Sequence, residues 1–171
     1  MARAALAHAD EVIWLLPRAF PHKSFEGAGF EARLDMLRRI ASADPGFSVA
    51  ITEGGLYFEM ADEARATLGP DPEIMLLCGK DAAERIAGWD YGTPGVFDAM
   101  VDRYRLLVAE RAGDYLPDAR HSDRVTRVTM SGDFDEVSST ELRSRLKNGL
   151  PWRQLVPDEI AGMAEIIYGS A

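Results

Sequence analysis

Ile74-Met-Leu-Leu-Cys78 is an unbroken apolar run that stops at Gly79. No other stretch of the chain restricts the fold as much. A strand with one face in water alternates apolar and polar residues, whereas an unbroken run needs cover on both faces. That environment is a parallel sheet between layers of helix. Glu11-Val-Ile-Trp-Leu-Leu16, ended by Pro17, has the same compact apolar character. Further strands are expected over Phe47–Ile51, Tyr104–Ala109 and Val125–Met130.

Helical patterns fill the intervals. Phe30, Leu34, Leu37 and Ala41 recur at helical spacing from Phe30 to Ala43, before Pro45-Gly46. Tyr57–Leu68 reads as a helix closed by Gly69-Pro70, and Asp81–Ala87 as another, followed by an irregular stretch through Gly92-Thr93-Pro94. Two helices close the chain. Ser139–Asn148 ends in Asn148-Gly149, and Pro157–Tyr168 carries Ile160, Met163 and Ile167 on one stripe. Strands alternating with helices predict an α/β fold, a parallel sheet with helices on both faces. Val12–Leu16, Ile74–Cys78 and Leu106–Ala109 are expected to be neighbours in its core, with Ile74–Cys78 the most buried. Residues 1–171 read as one domain whose last part, 139–171, is helical. The polar stretch Ala112–Asp123, with Gly113 and Pro117, reads as the most mobile loop.

Composition narrows the function. Asp and Glu outnumber Lys and Arg 28 to 19, for a net charge of −9. Affinity for a phosphate backbone rests on a basic surface, so no nucleic-acid partner is expected. One phosphorylated small molecule in a local basic pocket remains compatible. A lone cysteine, Cys78, excludes an internal disulfide and fits a reducing cytoplasm. No apolar run approaches the roughly 20 residues that cross a bilayer, and the start lacks a secretory pattern, so no membrane partner is expected.

Three places offer chemistry. In Val137-Ser-Ser-Thr-Glu-Leu-Arg143, Ser138, Ser139 and Thr140 stand where a loop enters a helix. The first amides of a helix lack intrahelical partners and carry partial positive charge, which suits a phosphate. Arg143, one turn in, has a planar fork for the same anion. Ser138 and Glu141 also form a capping box, and spacing alone favours the cap. Pro21-His22-Lys23 follows the first recognisable strand, where ligands bind in parallel sheets, though solvent-exposed loop residues read the same way. Gly79-Lys80-Asp81 ends the apolar strand; Asp81 can cap the next helix or hold a sugar hydroxyl, and Trp89 can stack on a heteroaromatic ring or simply pack. His8 and His121 show no metal-ligand spacing with each other or with Cys78, so no metal site is expected.

In this order, these elements resemble the bacterial nicotinate-nucleotide adenylyltransferases, within the nucleotidyltransferase superfamily. The resemblance runs through Pro21-His22-Lys23, Arg33-Leu34-Asp35-Met36-Leu37, Gly79 and Asp81 with Trp89, Arg111 and Gly113, Val137 through Arg143, and Val156-Pro157. It implies a Rossmann-like nucleotidyltransferase fold and adenylyl transfer, in which the phosphate of a mononucleotide attacks the α-phosphate of ATP and pyrophosphate leaves. Ser138, Ser139, Thr140, Arg143, Gly79 and Asp81 would then bind ATP, with Arg143 catalytic. His22, Lys23, Trp89 and Arg111 would bind the acceptor. Magnesium would arrive with ATP. The oligomeric state, including a homo-oligomer, stays open.

Two departures accompany the resemblance. The family opens with a strand and a Gly-x-Phe-Asp-Pro-x-His-x-Gly-His segment whose histidines bind the ATP phosphates. Met1-Ala-Arg-Ala-Ala-Leu-Ala-His8 resembles the helix that follows it, so the first strand is expected to be missing and the chain as given inactive or impaired. At the start of the helix after the third strand, the family has Ser-Tyr-Thr. Here Leu56-Tyr57-Phe58 stands there, with phenyl in place of a hydroxyl near the acceptor ring. A non-catalytic nucleotide-binding or interaction protein, or a transferase acting on pantetheine phosphate or a choline-like phosphate, are the alternatives.

Overall fold

The computed structural model describes residues 1–19, 27–110, 115–130 and 137–169. Its elements alternate as the apolar pattern predicts. They are α1 (Ala2–Ala5), β1 (Val12–Pro17), α2 (Phe30–Ser42), β2 (Phe47–Thr52), α3 (Tyr57–Leu68), β3 (Met75–Gly79), α4 (Lys80–Ala87), α5 (Val96–Arg103), β4 (Arg105–Glu110), β5 (Val125–Thr129), α6 (Ser139–Lys147) and α7 (Asp158–Tyr168). Among the described residues every strand pairing is parallel. The fold is α/β, with parallel strands and intervening helices, as expected.

Among the described residues the strands form two sheets instead of one. β1 pairs with β2, and β3, β4 and β5 pair in that order. β3 and β4 are neighbours as expected, but β1 is bonded to neither. The burial expectation also shifts. β4 lies in the middle of its sheet, and Leu106, Leu107, Val108 and Ala109 are at most 2% exposed. β3 is an edge strand, so Met75 and Leu77 are only half-buried. Sequence pattern reports cover on the two faces of a strand; it carries no information on which edge is paired.

Helices cover both faces. On one, Ala61 of α3, Ala83 and Ile86 of α4, and Met100 and Val101 of α5 close over Leu76, Cys78, Leu106 and Val108. On the other, α1 brings Ala5 against Val12, Leu107 and Val128, with Trp14, Phe47, Met75 and Leu77 packed alongside. This second cluster takes residues from both sheets, so they share one layer. Burying an aliphatic side chain stabilises by about 1.5–3 kcal/mol, so these contacts, not a hydrogen-bond ladder, join the sheets.

Two local readings change. α5 replaces the later part of the irregular stretch, starting after Gly95, whose φ of 82° is a left-handed value that glycine adopts without strain. The described part of the stretch expected to be mobile is pinned: Tyr115 is 5% and His121 7% exposed, and Ala119–His121 form a single 3-10 turn. Tyr115 supplied the anchor that a polar composition concealed. At the C-terminus, α7 packs on α2 and α6. No helix among the described residues is long and apolar enough to cross a membrane.

Candidate functional site

Parallel strands end at one edge of their sheet, and the loops there gather side chains from distant sequence. The register sets Gly79 beside Ala109 and Glu110 beside Thr129 at that edge. Gly79 is also the residue before α4, and Lys80 and Asp81 begin the helix. Asp81 is exposed in the first turn, where its charge meets the positive end of the helix dipole. The backbone at Gly79 is extended, and a Cβ there would meet nothing within 4 Å, so the approach is open.

Past β5 the chain enters α6. Ser138 caps it, its hydroxyl accepting from the Glu141 amide at 3.1 Å. The cap reading of Ser138 therefore holds, and its oxygen is engaged with the helix. Ser139 and Thr140 are exposed on the first turn, and Arg143 is exposed one turn along, its Nη2 3.5 Å from Thr140 Oγ1. Three polar groups thus stand together, exposed, at a helix start. Glu141 turns away to Arg145, at 2.6 Å from its Nε.

Trp89 follows the Gly88 cap of α4 and is 37% exposed. It borders a cavity of about 430 Å³ that Tyr91 and Phe97 also line. Tyr91 is fixed there, its hydroxyl donating to the Ile86 carbonyl at 2.9 Å and its ring meeting Phe58 edge to face at 5.7 Å. Phe58 thus supports the Tyr91 ring and packs against the core behind it. His22, Lys23 and Arg111 lie outside the described residues. His8 is exposed, and among the described residues no three His, Cys, Asp or Glu side chains converge on a metal position.

Several groups went unread in the sequence. The turn after β2 is held by two carboxylates from α3: Glu63 accepts from the Glu53 and Gly54 amides at 2.8 and 2.7 Å, and Glu59 from Gly55 and Leu56 at 3.1 and 3.0 Å. Gly54 has to be glycine here, since a Cβ would come within 2.7 Å of Glu59 Cβ. Glu59 three residues after Leu56 was the available signal, a capping-box glutamate. At the end of β4, Glu110 accepts from the Tyr115 amide at 3.1 Å and pairs with Arg127 at 3.4 Å, which ties β5 to the loop after β4. Burial pushes the Tyr57 phenol and the Cys78 thiol up to about 12 each, so both stay protonated and Cys78 is no nucleophile at neutral pH.

A family model described as cytidylyltransferase-like matches residues 1–145. A Gemmatimonas aurantiaca protein named probable nicotinate-nucleotide adenylyltransferase is 32% identical over 151 residues, covering 82% of this chain and 69% of its own. Proteins of the same name from Anaeromyxobacter dehalogenans and Salinibacter ruber are 32% and 28% identical, each with 77% of its length covered by 90% and 88% of this chain.

Proposed function

The chain belongs to the cytidylyltransferase-like family, and from that premise we propose that it serves adenylyl transfer from ATP to a nicotinate mononucleotide-like acceptor, with release of pyrophosphate in NAD biosynthesis. The observation that carries the reading is the exposed trio Ser139, Thr140 and Arg143 at the start of α6. Helix amides, two hydroxyls and a guanidinium make a seat for the triphosphate.

The reaction needs no covalent enzyme intermediate. An oxygen of the acceptor phosphate forms a bond to the α-phosphorus of ATP while the bond to the bridging oxygen of pyrophosphate breaks. Catalysis is then alignment plus stabilisation of charge on the leaving group. Arg143 is the residue proposed to meet that charge, with Ser139 and Thr140 orienting the phosphates. Gly79 would let the nucleotide approach the strand end, and Asp81 would take a ribose hydroxyl. Trp89, in its aromatic cavity, offers a stacking face for the acceptor ring, with His22, Lys23 and Arg111 as its phosphate partners. Magnesium would be held chiefly by the phosphates and would keep most of its waters.

The test is pyrophosphate release from ATP with magnesium and nicotinate mononucleotide, comparing Arg143→Ala with the parent chain. Release that depends on the mononucleotide and falls at least tenfold in the variant is expected. Binding of ATP with no release under any acceptor would favour the non-catalytic reading. Release with pantetheine phosphate or a choline-like phosphate in place of nicotinate mononucleotide would move the acceptor.

A further inference from the structure

The cavity of about 430 Å³ beside Trp89 combines three aromatic rings with a single charged side chain, and that charge is negative. Trp89, Tyr91 and Phe97 supply the rings and Asp90 the carboxylate; among the described residues no Lys, Arg or His lines the space. Its size falls within the range of small-molecule sites.

Each part is held in place. Tyr91 is tied through its hydroxyl to the Ile86 carbonyl and meets Phe58 edge to face, and Phe97 meets the buried His121 ring in the same way at 5.1 Å. Asp90 Oδ1 accepts from the Gly92 amide at 2.8 Å, which fixes the carboxylate on its loop and leaves it exposed. A Cβ at Gly92 or Gly95 would meet nothing within 4 Å, so the space beside the loop stays open. Val96 and Phe97 also bring the start of α5 to the cavity, and helix amides attract anions. Asp98 stands in that first turn, and its carboxylate offsets the positive end of the helix.

The faces of aromatic rings carry negative charge density and draw a cation within about 6 Å of the ring centre, most strongly at Trp. A carboxylate on the same wall adds to that field. A pyridine ring joined to ribose through its nitrogen is such a cation. A carboxylate substituent cancels its charge and brings a second negative group to Asp90. A carboxamide leaves the cation intact, and its NH2 group can donate to the Asp90 carboxylate. We propose that this cavity is a cage for an organic cation, the pyridinium ring of the acceptor, and that Asp90 makes it favour an uncharged carboxamide over a carboxylate on that ring. The proposal rests on the acceptor reading above and narrows it, placing nicotinamide mononucleotide ahead of nicotinate mononucleotide. Two like charges about 4 Å apart in water repel by roughly fivefold in affinity, and by more where solvent is excluded.

Calorimetry on the protein without ATP tests the cage, with nicotinamide mononucleotide, nicotinate mononucleotide, phosphocholine and ribose 5-phosphate as probes. Nicotinamide mononucleotide is expected to bind about fivefold or more tighter than nicotinate mononucleotide, with a gap that narrows as salt is raised. Asp90→Asn, which keeps an oxygen for the Gly92 amide, should bring the two within about twofold, and Trp89→Leu should weaken both. Equal or tighter binding of nicotinate mononucleotide, or a preference that survives Asp90→Asn, overturns the proposal. So does ribose 5-phosphate binding as tightly as the mononucleotides, because the ring is then not read. Phosphocholine binding tighter than nicotinamide mononucleotide overturns the assignment of the cation as a pyridinium. Turnover is a separate readout. Caged binding without pyrophosphate release in the presence of ATP and magnesium sinks the transfer reaction and leaves the cage standing. Release with nicotinate mononucleotide bound the more tightly sinks the cage and leaves the reaction standing. Binding of neither mononucleotide overturns both.

Discussion

His121 Nε2 lies 2.7 Å from Asp98 Oδ1, joining the turn before β5 to the first turn of α5 across 23 residues of sequence. The imidazole is 7% exposed and meets the Phe97 ring edge to face at 5.1 Å. Removing Asp98 would leave a buried ring nitrogen without a partner, which costs about 1–3 kcal/mol. Asp98→Ala should therefore lower the unfolding free energy, measured by urea denaturation, by that amount. His121→Phe, which keeps the ring contact and needs no partner, should cost less. Equal losses would show that packing, not the hydrogen bond, holds the turn.

The two roles at the start of α6 separate by substitution. Ser138→Ala removes the cap and should lower stability by about 0.5–2 kcal/mol. Arg143→Ala should leave stability unchanged and weaken ATP or pyrophosphate binding by about 1.5–3 kcal/mol, the worth of a hydrogen bond to a charged group. Calorimetry in parallel with denaturation reads both. Identical affinities in the Arg143 variant and its parent would leave the helix start with a structural role alone.

Glu63 binds two amides of the turn after β2. Glu63→Ala should cost about 1–3 kcal/mol, because those amides lose a charged acceptor. Gly54→Ala should disturb the same turn through its contact with Glu59. Proteolysis within residues 53–56 should speed up in both variants, and unchanged cleavage would argue that the turn is held by α3 packing instead.

Alkaline pH should destabilise the fold through Cys78 and Tyr57. Their ordinary values are 9.0 and 10.0, and burial raises each to about 12 in the folded chain. The folded state therefore keeps protons that the unfolded state releases. Stability is fully present below about pH 9 and is lost as pH rises toward 12. Cys78→Ala should flatten the fall between pH 9 and 10, leaving the tyrosine part above it. Urea midpoints across that range check the sign, and a rise in stability would contradict the burial of both groups. At neutral pH, iodoacetamide should label Cys78 only after unfolding.

Much of the fold was legible from local pattern. Unbroken apolar runs marked β1, β3 and β4, helical spacing marked α2 and α3, and the Ser138 cap was readable because a cap involves only residues 138 to 141. The Ser139, Thr140 and Arg143 grouping was readable for the same reason, as these residues share one helix turn. α5 was hidden by the glycines and proline ahead of it, and the Asp98–His121 and Glu110–Arg127 pairs join residues far apart in sequence.

The sequence by itself therefore determined the kinds of elements, their parallel α/β class and the local chemistry of the α6 start, since each depends on interactions within a few residues. Only the tertiary structure decided which strand edges meet, that β4 rather than β3 lies at the centre of its sheet, and that an apolar slot separates β1 from β3. Edge pairing is a contact between distant segments, and the alternation of side chains along a strand reports its faces but not its edges.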